Sequence, residues 1–249
     1  MPKNKPLIIA HRGASYSAPE NTIASAKLAW QEDTDALECD VHKTKDNHII
    51  VSHDPDTFRT TGIKKIIRDE KLIDLQKLDA GSWKSPKYKG EKLPTLKELL
   101  QTVPHDKKIC IEIKSGDCVE LIDKIIKDSH LKPDQFVFMD FDINTVIEAK
   151  RVFKRSEILW LYEFIPPLKE HQAKPAFEMI IEKALSVNAH GINIEFNPFV
   201  DKDLIDRVHQ VNMKFYTWTV NDLGDAIKLR NWGIDGIATD KPGWMKSNL

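Results

Sequence analysis

The sequence predicts an α/β fold of the (β/α)8 TIM-barrel type, carrying one extra antiparallel strand and a short insertion after it. Three observations lead there. Nine apolar runs of strand length recur through the 249 residues. Amphipathic helical patterns fill most of the gaps, and repeated β-then-α units in one chain of this length build a parallel barrel. One gap is too short for a helix, so one run is surplus to an eight-strand wall. Residues 1–249 read as a single domain.

Taken in order, the first run is 7–11 (LIIAH), which ends at His11. A helix follows in TIASAKLAWQ, with Ile23, Ala26, Lys27 and Trp30 on one face. Runs 36–41 (ALECDV) and 48–53 (HIIVSH) are separated by HKTKDN. That gap cannot hold a crossover of a dozen residues but suits a hairpin turn. The run 48–53 is therefore expected to return antiparallel, turning about Asp46–Asn47 and setting His53 opposite Asp40. Residues 54–94 are rich in turn formers, and a loop of that length is usually functional. With Trp83, Tyr88 and several charges, it is expected to form an ordered excursion over the barrel mouth.

The segment TLKELLQTV opens with Thr95 and Glu98 at capping-box spacing. Run 108–114 (KICIEIK) precedes DCVELIDKIIKD, where Asp117 and Glu120 repeat that spacing ahead of Leu121, Ile122, Ile125 and Ile126. Runs 136–140, 158–162, 191–195, 214–220 and 235–239 then alternate with helices expected at 142–153, 175–187, 201–212 and 222–232.

Composition narrows the function. With 37 basic and 38 acidic side chains the formal charge is −1, which argues against nucleic-acid binding by bulk electrostatics. No apolar stretch reaches the roughly 20 residues of a membrane span, and the start lacks the features of a secretory signal. Cys39, Cys110 and Cys118 are odd in number and lack metal-ligand spacing, so they read as reduced thiols in a cytoplasmic protein.

Strand parity locates the chemistry. Glu38 and Asp40 share one face of their strand, and Cys110, Glu112 and Lys114 share one face of theirs. His11 aligns with Leu7 and Ile9, and His53 with Ile49 and Val51. In each inward set the polar member comes late, at the carboxyl end where such barrels build active sites. Glu38, Asp40 and Glu112 converging there would repel unless a cation sat among them. A hard divalent ion, Mg²⁺ or Ca²⁺, suits all-oxygen ligands better than zinc does. His11 and His53 are then free for acid–base work, and Arg12 and Lys114 supply charge for an anion. Metal, cations and imidazoles together suit displacement at phosphorus. Each element alone has a plainer reading: Glu112 and Lys114 as a buried ion pair, or the "HD" of His53–Asp54 as a turn cap.

The blocks HRGASYSAPENT, ECDVHKTKDNHIIVSHD, LDAGSW, GEKLPTLKELL, IEIK, WTVND and DGIATDKP run in order from about residue 7 to 243. Together they resemble the glycerophosphodiester phosphodiesterases. That resemblance implies a β/α barrel that hydrolyses glycerophosphodiesters to glycerol 3-phosphate and an alcohol with a divalent metal. It implies His11 and His53 as the acid–base pair, Glu38, Asp40 and Glu112 as metal ligands, Arg12 and Lys114 as phosphate binders, and Trp218 as a wall against the glycerol moiety. His11 is expected as base and His53 as acid. Asn21 is expected to cap the first helix. Asp140 and Glu195 depart from the family pattern and are expected near the mouth, where they would tune metal or alcohol binding. Rival readings are a phospholipase D-like enzyme for lysophospholipids, a non-catalytic glycerophosphate-binding module, and an aldolase or isomerase barrel using Lys114.

Overall fold

A computed structural model describes residues 5–165 and 169–249. The chain runs β1 (Leu7–Ala10), α1 (Ile23–Gln31), β2 (Ala36–Lys43) and β3 (Ile49–Val51). The insertion holds two short helices, α2 (Phe58–Thr61) and α3 (Leu72–Leu75), and is followed by α4 (Leu96–Leu100). Then come β4 (Lys108–Ile113), α5 (Val119–Lys127), β5 (Phe136–Asp140), α6 (Ile143–Val152), β6 (Glu157–Tyr162) and α7 (Glu170–Ser186). The chain closes with β7 (Gly191–Glu195), α8 (Lys202–Gln210), β8 (Lys214–Trp218), α9 (Leu223–Trp232), β9 (Gly236–Thr239) and α10 (Pro242–Asn248).

Eight parallel strands form a closed ring in the order β1-β9-β8-β7-β6-β5-β4-β2, shut by the β1–β2 pairing. β3 lies outside the ring, antiparallel to β2. The surplus run therefore serves as the return strand that its short connection implied. Alternation sorts the side chains as expected. Ile9, Cys110, Val137, Met139, Leu159 and Tyr216 fill the interior, while Ile109, Ile111 and Ile113 face the helices.

Local chemistry departs from expectation in three places. The hairpin pairs Val41 with Val51, His42 with Ile50 and Lys43 with Ile49, so Asp40 faces Ser52, whose amide donates to the Asp40 carbonyl at 3.0 Å. His53 is not opposite Asp40. The turn takes one residue more than a two-residue loop, with Asn47 at φ 60°, and the shift carries His53 beyond the strand. Secondly, α1 is capped by Thr22, which accepts from the Ser25 amide while Ser25 reciprocates. Asn21 does not cap it. Lys27, placed on the apolar face of α1, is exposed. Thirdly, α5 starts without a side-chain cap, because Asp117 is engaged by Lys43 and Ser115. The Thr95–Glu98 capping box at α4 is present.

The insertion packs a small core of Ile67, Leu75, Leu78 and Leu93 onto Ile50 of β3. It is tied to the loop after β1: Tyr88 Oη donates to the Ser17 carbonyl at 2.9 Å and Lys84 Nζ to that of Ser15 at 2.6 Å. These bonds hold it against the carboxyl end of the barrel. Among the described residues no helix is long and apolar enough to cross a membrane.

Candidate active site

The corner after β1 shapes the site first. Arg12 and Gly13 take φ of 56° and 82°, and a Cβ on Gly13 would lie 2.6 Å from Ser25 Cβ. Glycine is required there by both its backbone and its space. The turn aims the Arg12 amide at Glu38 Oε2, 2.9 Å away.

On β2 and β4, Asp40 is in register with Glu112. Ligand oxygens of Glu38, Asp40 and Glu112 all lie within 4.8 Å of one another, and all three residues are buried. Two cations stand among these acids. Lys114 Nζ is 3.1 Å from Asp40 Oδ1 and also contacts Glu112. Arg12 Nε is 3.4 Å from Asp40 Oδ2, which also accepts from Asn21 Nδ2 at 2.8 Å. Burial opposes ionisation of Asp40, but Lys114 and Arg12 outweigh it and hold the carboxyl at about 2. Glu38 goes the other way: burial, then the charges of Asp40 and Glu112, push it well above the ordinary range. Burial and Asp40 raise Glu112 too, against the pull of Lys114. Two cations thus stand against three acids. Buried acids left in that state have room for a further cation, and an all-oxygen donor set fits a hard divalent ion.

Each histidine is backed by a carboxylate. His11 Nδ1 is 2.8 Å from Asp240 Oδ1, and His53 Nδ1 is 2.7 Å from Asp54 Oδ1. A carboxylate only accepts, so Nδ1 carries the proton in both rings and Nε2 is the free nitrogen. Asp240 is itself fixed by Ser15 Oγ at 3.0 Å and Asn221 Nδ2 at 2.7 Å. Asp54 is held by Arg59, whose guanidinium also clamps Glu20 at 2.7 and 2.8 Å. Glu20 in turn accepts from Arg12 at 3.1 Å, so a chain of ion pairs links the two sides of the mouth. Burial lowers the His53 pKa; Asp40 works against this and Lys114 and Arg12 with it.

The two histidines, the two cations and two of the three acids meet at one cavity of about 440 Å³. His11, Arg12, Glu38, His53, Glu112 and Lys114 line it, with Met139, Phe141, Leu161, Glu163, Asn193, Trp218 and Ala238 opposite. Trp218 faces inward with Tyr216, edge-on to Phe141 at 5.9 Å between ring centres. The peptide Trp218–Thr219 is cis.

Asp140 is not at this mouth. It shares the outward parity of Phe136 and Phe138, accepts from the Asp142 amide at 2.9 Å, and is raised to about 6 by burial. Glu195 has the inward parity of Asn193 and is raised by burial and by Glu163. Glu163 itself, from the loop after β6, is the added acid lining the cavity. Sequence reasoning also passed over Asp240, Asp54, Glu20, Arg59 and Asn221. The signal for Asp240 was present in DGIATDKP: in a closed barrel the last strand adjoins the first, so a residue just past β9 lies beside one just past β1.

A closed parallel barrel with titratable, cationic and acidic groups gathered at its carboxyl rim belongs to the enzymatic class of such barrels. Residues 11–244 match the glycerophosphoryl diester phosphodiesterase family, and the chain belongs to this family of hydrolases. It is 35% identical over 241 residues to YhdW of Bacillus subtilis, a candidate glycerophosphodiester phosphodiesterase, covering 96% of each chain. It is 36% identical over 165 residues to the glycerophosphodiester phosphodiesterase of Caldanaerobacter subterraneus subsp. tengcongensis, covering 64% of this chain and 68% of that one. Among solved structures, an Oleispira antarctica phosphodiesterase in complex with the product sn-glycerol-3-phosphate superposes with a TM-score of 0.85 at 28% identity, covering 98% and 96% of the two chains. The glycerophosphodiester phosphodiesterase of Thermotoga maritima shares the fold, with a TM-score of 0.76 at 23% identity and 98% coverage of both chains.

Proposed function

We propose that this protein hydrolyses glycerophosphodiesters to glycerol 3-phosphate and an alcohol, using His11 and His53 for proton transfer and a divalent ion at Glu38, Asp40 and Glu112. One observation carries the reading: two carboxylate-backed imidazoles line the same cavity as two cations and the acids Glu38 and Glu112. The product bound to the Oleispira antarctica relative supports the same product half here.

The ion, Mg²⁺ or Ca²⁺, would draw charge off the phosphoryl oxygens when bound. Arg12 and Lys114 bind the phosphodiester anion and hold it between the histidines. Ring position supports an order for the remaining roles. β1, which delivers His11, is separated from β8 and Trp218 by one strand, β9. Trp218 packs the glycerol half, so His11 is the base that deprotonates the attacking oxygen, either water or the glycerol 2-hydroxyl. His53 follows β3, on the side of β2 and β4, and donates its proton to the departing alkoxide. To donate, His53 must enter the step with a second proton, on Nε2; burial opposes that charge, and the Asp40 and Asp54 carboxylates favour it.

The test is turnover of glycerophosphocholine and glycerophosphoethanolamine after EDTA treatment and again after Mg²⁺, Ca²⁺ or Mn²⁺ is restored. Loss and recovery are expected. Full activity in EDTA would overturn the metal assignment, and no turnover of either diester with any ion would overturn the substrate class.

A further inference from the structure

A second cavity, of about 480 Å³, adjoins the first on the side of β2 and β4. Lys114 lines both. His42 lines the second, and its Nε2 is 3.1 Å from the His53 carbonyl oxygen, so the two cavities meet at the proposed acid. The charge lining the outer one is lopsided: Lys43, Lys64, Arg68 and Lys114 against Asp56 and Asp117.

The pairing among these residues shows which charge is available. Lys43 is held by Asp117, and Lys114 by Asp40 and Glu112. Lys64 and Arg68 are 70% and 84% exposed, and each has its paired acid, Asp56 and Asp69, 4.0 Å away. At that distance and exposure the pairs contribute little, and both cations are open to an anion entering the cavity.

We infer that this cavity is a subsite for a second phosphate, carried on the alcohol half of the substrate. The inference rests on the reading of the first cavity as a phosphodiesterase site and names the substrate class that reading leaves open. In the ring, β4 stands four strands from β8, directly across the barrel. A diester whose glycerol half lies on Trp218, and whose phosphate sits at Arg12 and Lys114, therefore extends its alcohol half towards the basic cavity. A neutral or cationic alcohol gains nothing from Lys64 and Arg68, whereas a phosphomonoester on the alcohol gains charge-assisted contacts from both.

The experiment compares glycerophosphoethanolamine with glycerophosphoglycerol 3-phosphate, whose leaving alcohol is itself phosphorylated, in the wild type and in K64E/R68E. Both positions are exposed, so folding is spared. The charge-reversed variant is expected to lose about tenfold in kcat/KM on the phosphorylated diester, mainly through KM, and to stay within about twofold on glycerophosphoethanolamine. The wild-type preference for the phosphorylated diester should shrink as salt is added. Equal loss on both substrates, or no loss on the phosphorylated one, overturns the subsite. Binding of the phosphorylated diester to H11A/H53A, with and without K64E/R68E, reads the subsite without turnover. A roughly tenfold weaker Kd supports it and an equal Kd refutes it. Failure of the wild type to cleave either diester refutes the phosphodiesterase reading instead, and the binding arm still decides the subsite.

Discussion

Replacing Asp240 by asparagine should disable His11 through its tautomer while leaving the barrel intact. Asp240 Oδ1 faces His11 Nδ1 at 2.8 Å and Ser15 Oγ at 3.0 Å, and Oδ2 accepts from Asn221 Nδ2 at 2.7 Å. Asn221 cannot turn over to adapt, because its Oδ1 already accepts from the Asp240 amide and from Thr239 Oγ1, each at 2.9 Å. An asparagine at 240 must therefore point its carbonyl at Asn221 and its amino group at His11. Nδ1 then becomes an acceptor, the imidazole proton moves to Nε2, and the lone pair needed to deprotonate the attacking oxygen is gone. Burial works against the Asp240 carboxylate, but His11, Asn221 and Ser15 hold it at about 2 against an ordinary 3.8, a preference worth on the order of 1–2 kcal/mol once solvent screening is allowed for. Some of that is lost as stability, so Tm should fall by several degrees with folding retained. The catalytic loss is larger: kcat for glycerophosphocholine should drop by about 10²–10⁴, with KM changed far less. Ser15→Ala, which leaves the His11–Asp240 bond in place, serves as the control and should stay within about tenfold of wild type. A folded D240N with kcat within about threefold of wild type would refute the argument.

Glu38→Gln should leave the metal-free protein as stable as wild type or more so, since it removes a buried charge that burial and two acid neighbours disfavour. It should also abolish the Tm rise, about 5–10 °C, that saturating Mg²⁺ gives the wild type; an undiminished rise would exclude Glu38 as a ligand. Trp218→Ala should raise KM for glycerophosphocholine about tenfold by stripping the apolar wall, and an unchanged KM would remove the glycerol half from that wall. Acid stability reads a group far from the site: bonds from Thr44 and the Leu72 amide hold Asp46 at about 2. A folded-state value below the ordinary 3.8 makes its contribution whole above about pH 4 and lost as the pH falls towards 2. Denaturant melts of Asp46→Asn should accordingly show a shallower loss over that window than wild type, and identical slopes would count against the Thr44–Asp46 bond.

The barrel was legible because period-two alternation and connection length are local quantities. HKTKDN could not span a crossover, and that alone separated β3 from the wall. Glu38, Asp40, Glu112 and Lys114 followed from parity, which sets all four on the inward side of their strands. The hairpin register did not follow. It turns on the left-handed Asn47, a single backbone angle that apolar patterning does not encode. Asn21 was misassigned because a cap and a carboxylate partner use the same amide; which one wins depends on Asp40, 19 residues on. Asp240 and Arg59 act through contacts 229 and 39 residues distant in the chain, set by ring closure and by how the insertion packs. Asp140 shows the converse error, an acid at a strand end whose outward parity turns it away from the mouth.

The central claim concerns proton transfer by two imidazoles across one bound phosphodiester. Its most direct measurement is the rate of glycerol 3-phosphate release from glycerophosphocholine, with metal present, by the wild type, H11A, H53A and the double variant H11A/H53A. Each single variant should lose at least about 10²–10⁴ in kcat, and the double variant should lose little beyond the worse single, because the two groups act in one concerted displacement. A folded double variant that releases glycerol 3-phosphate at the wild-type rate would contradict the account.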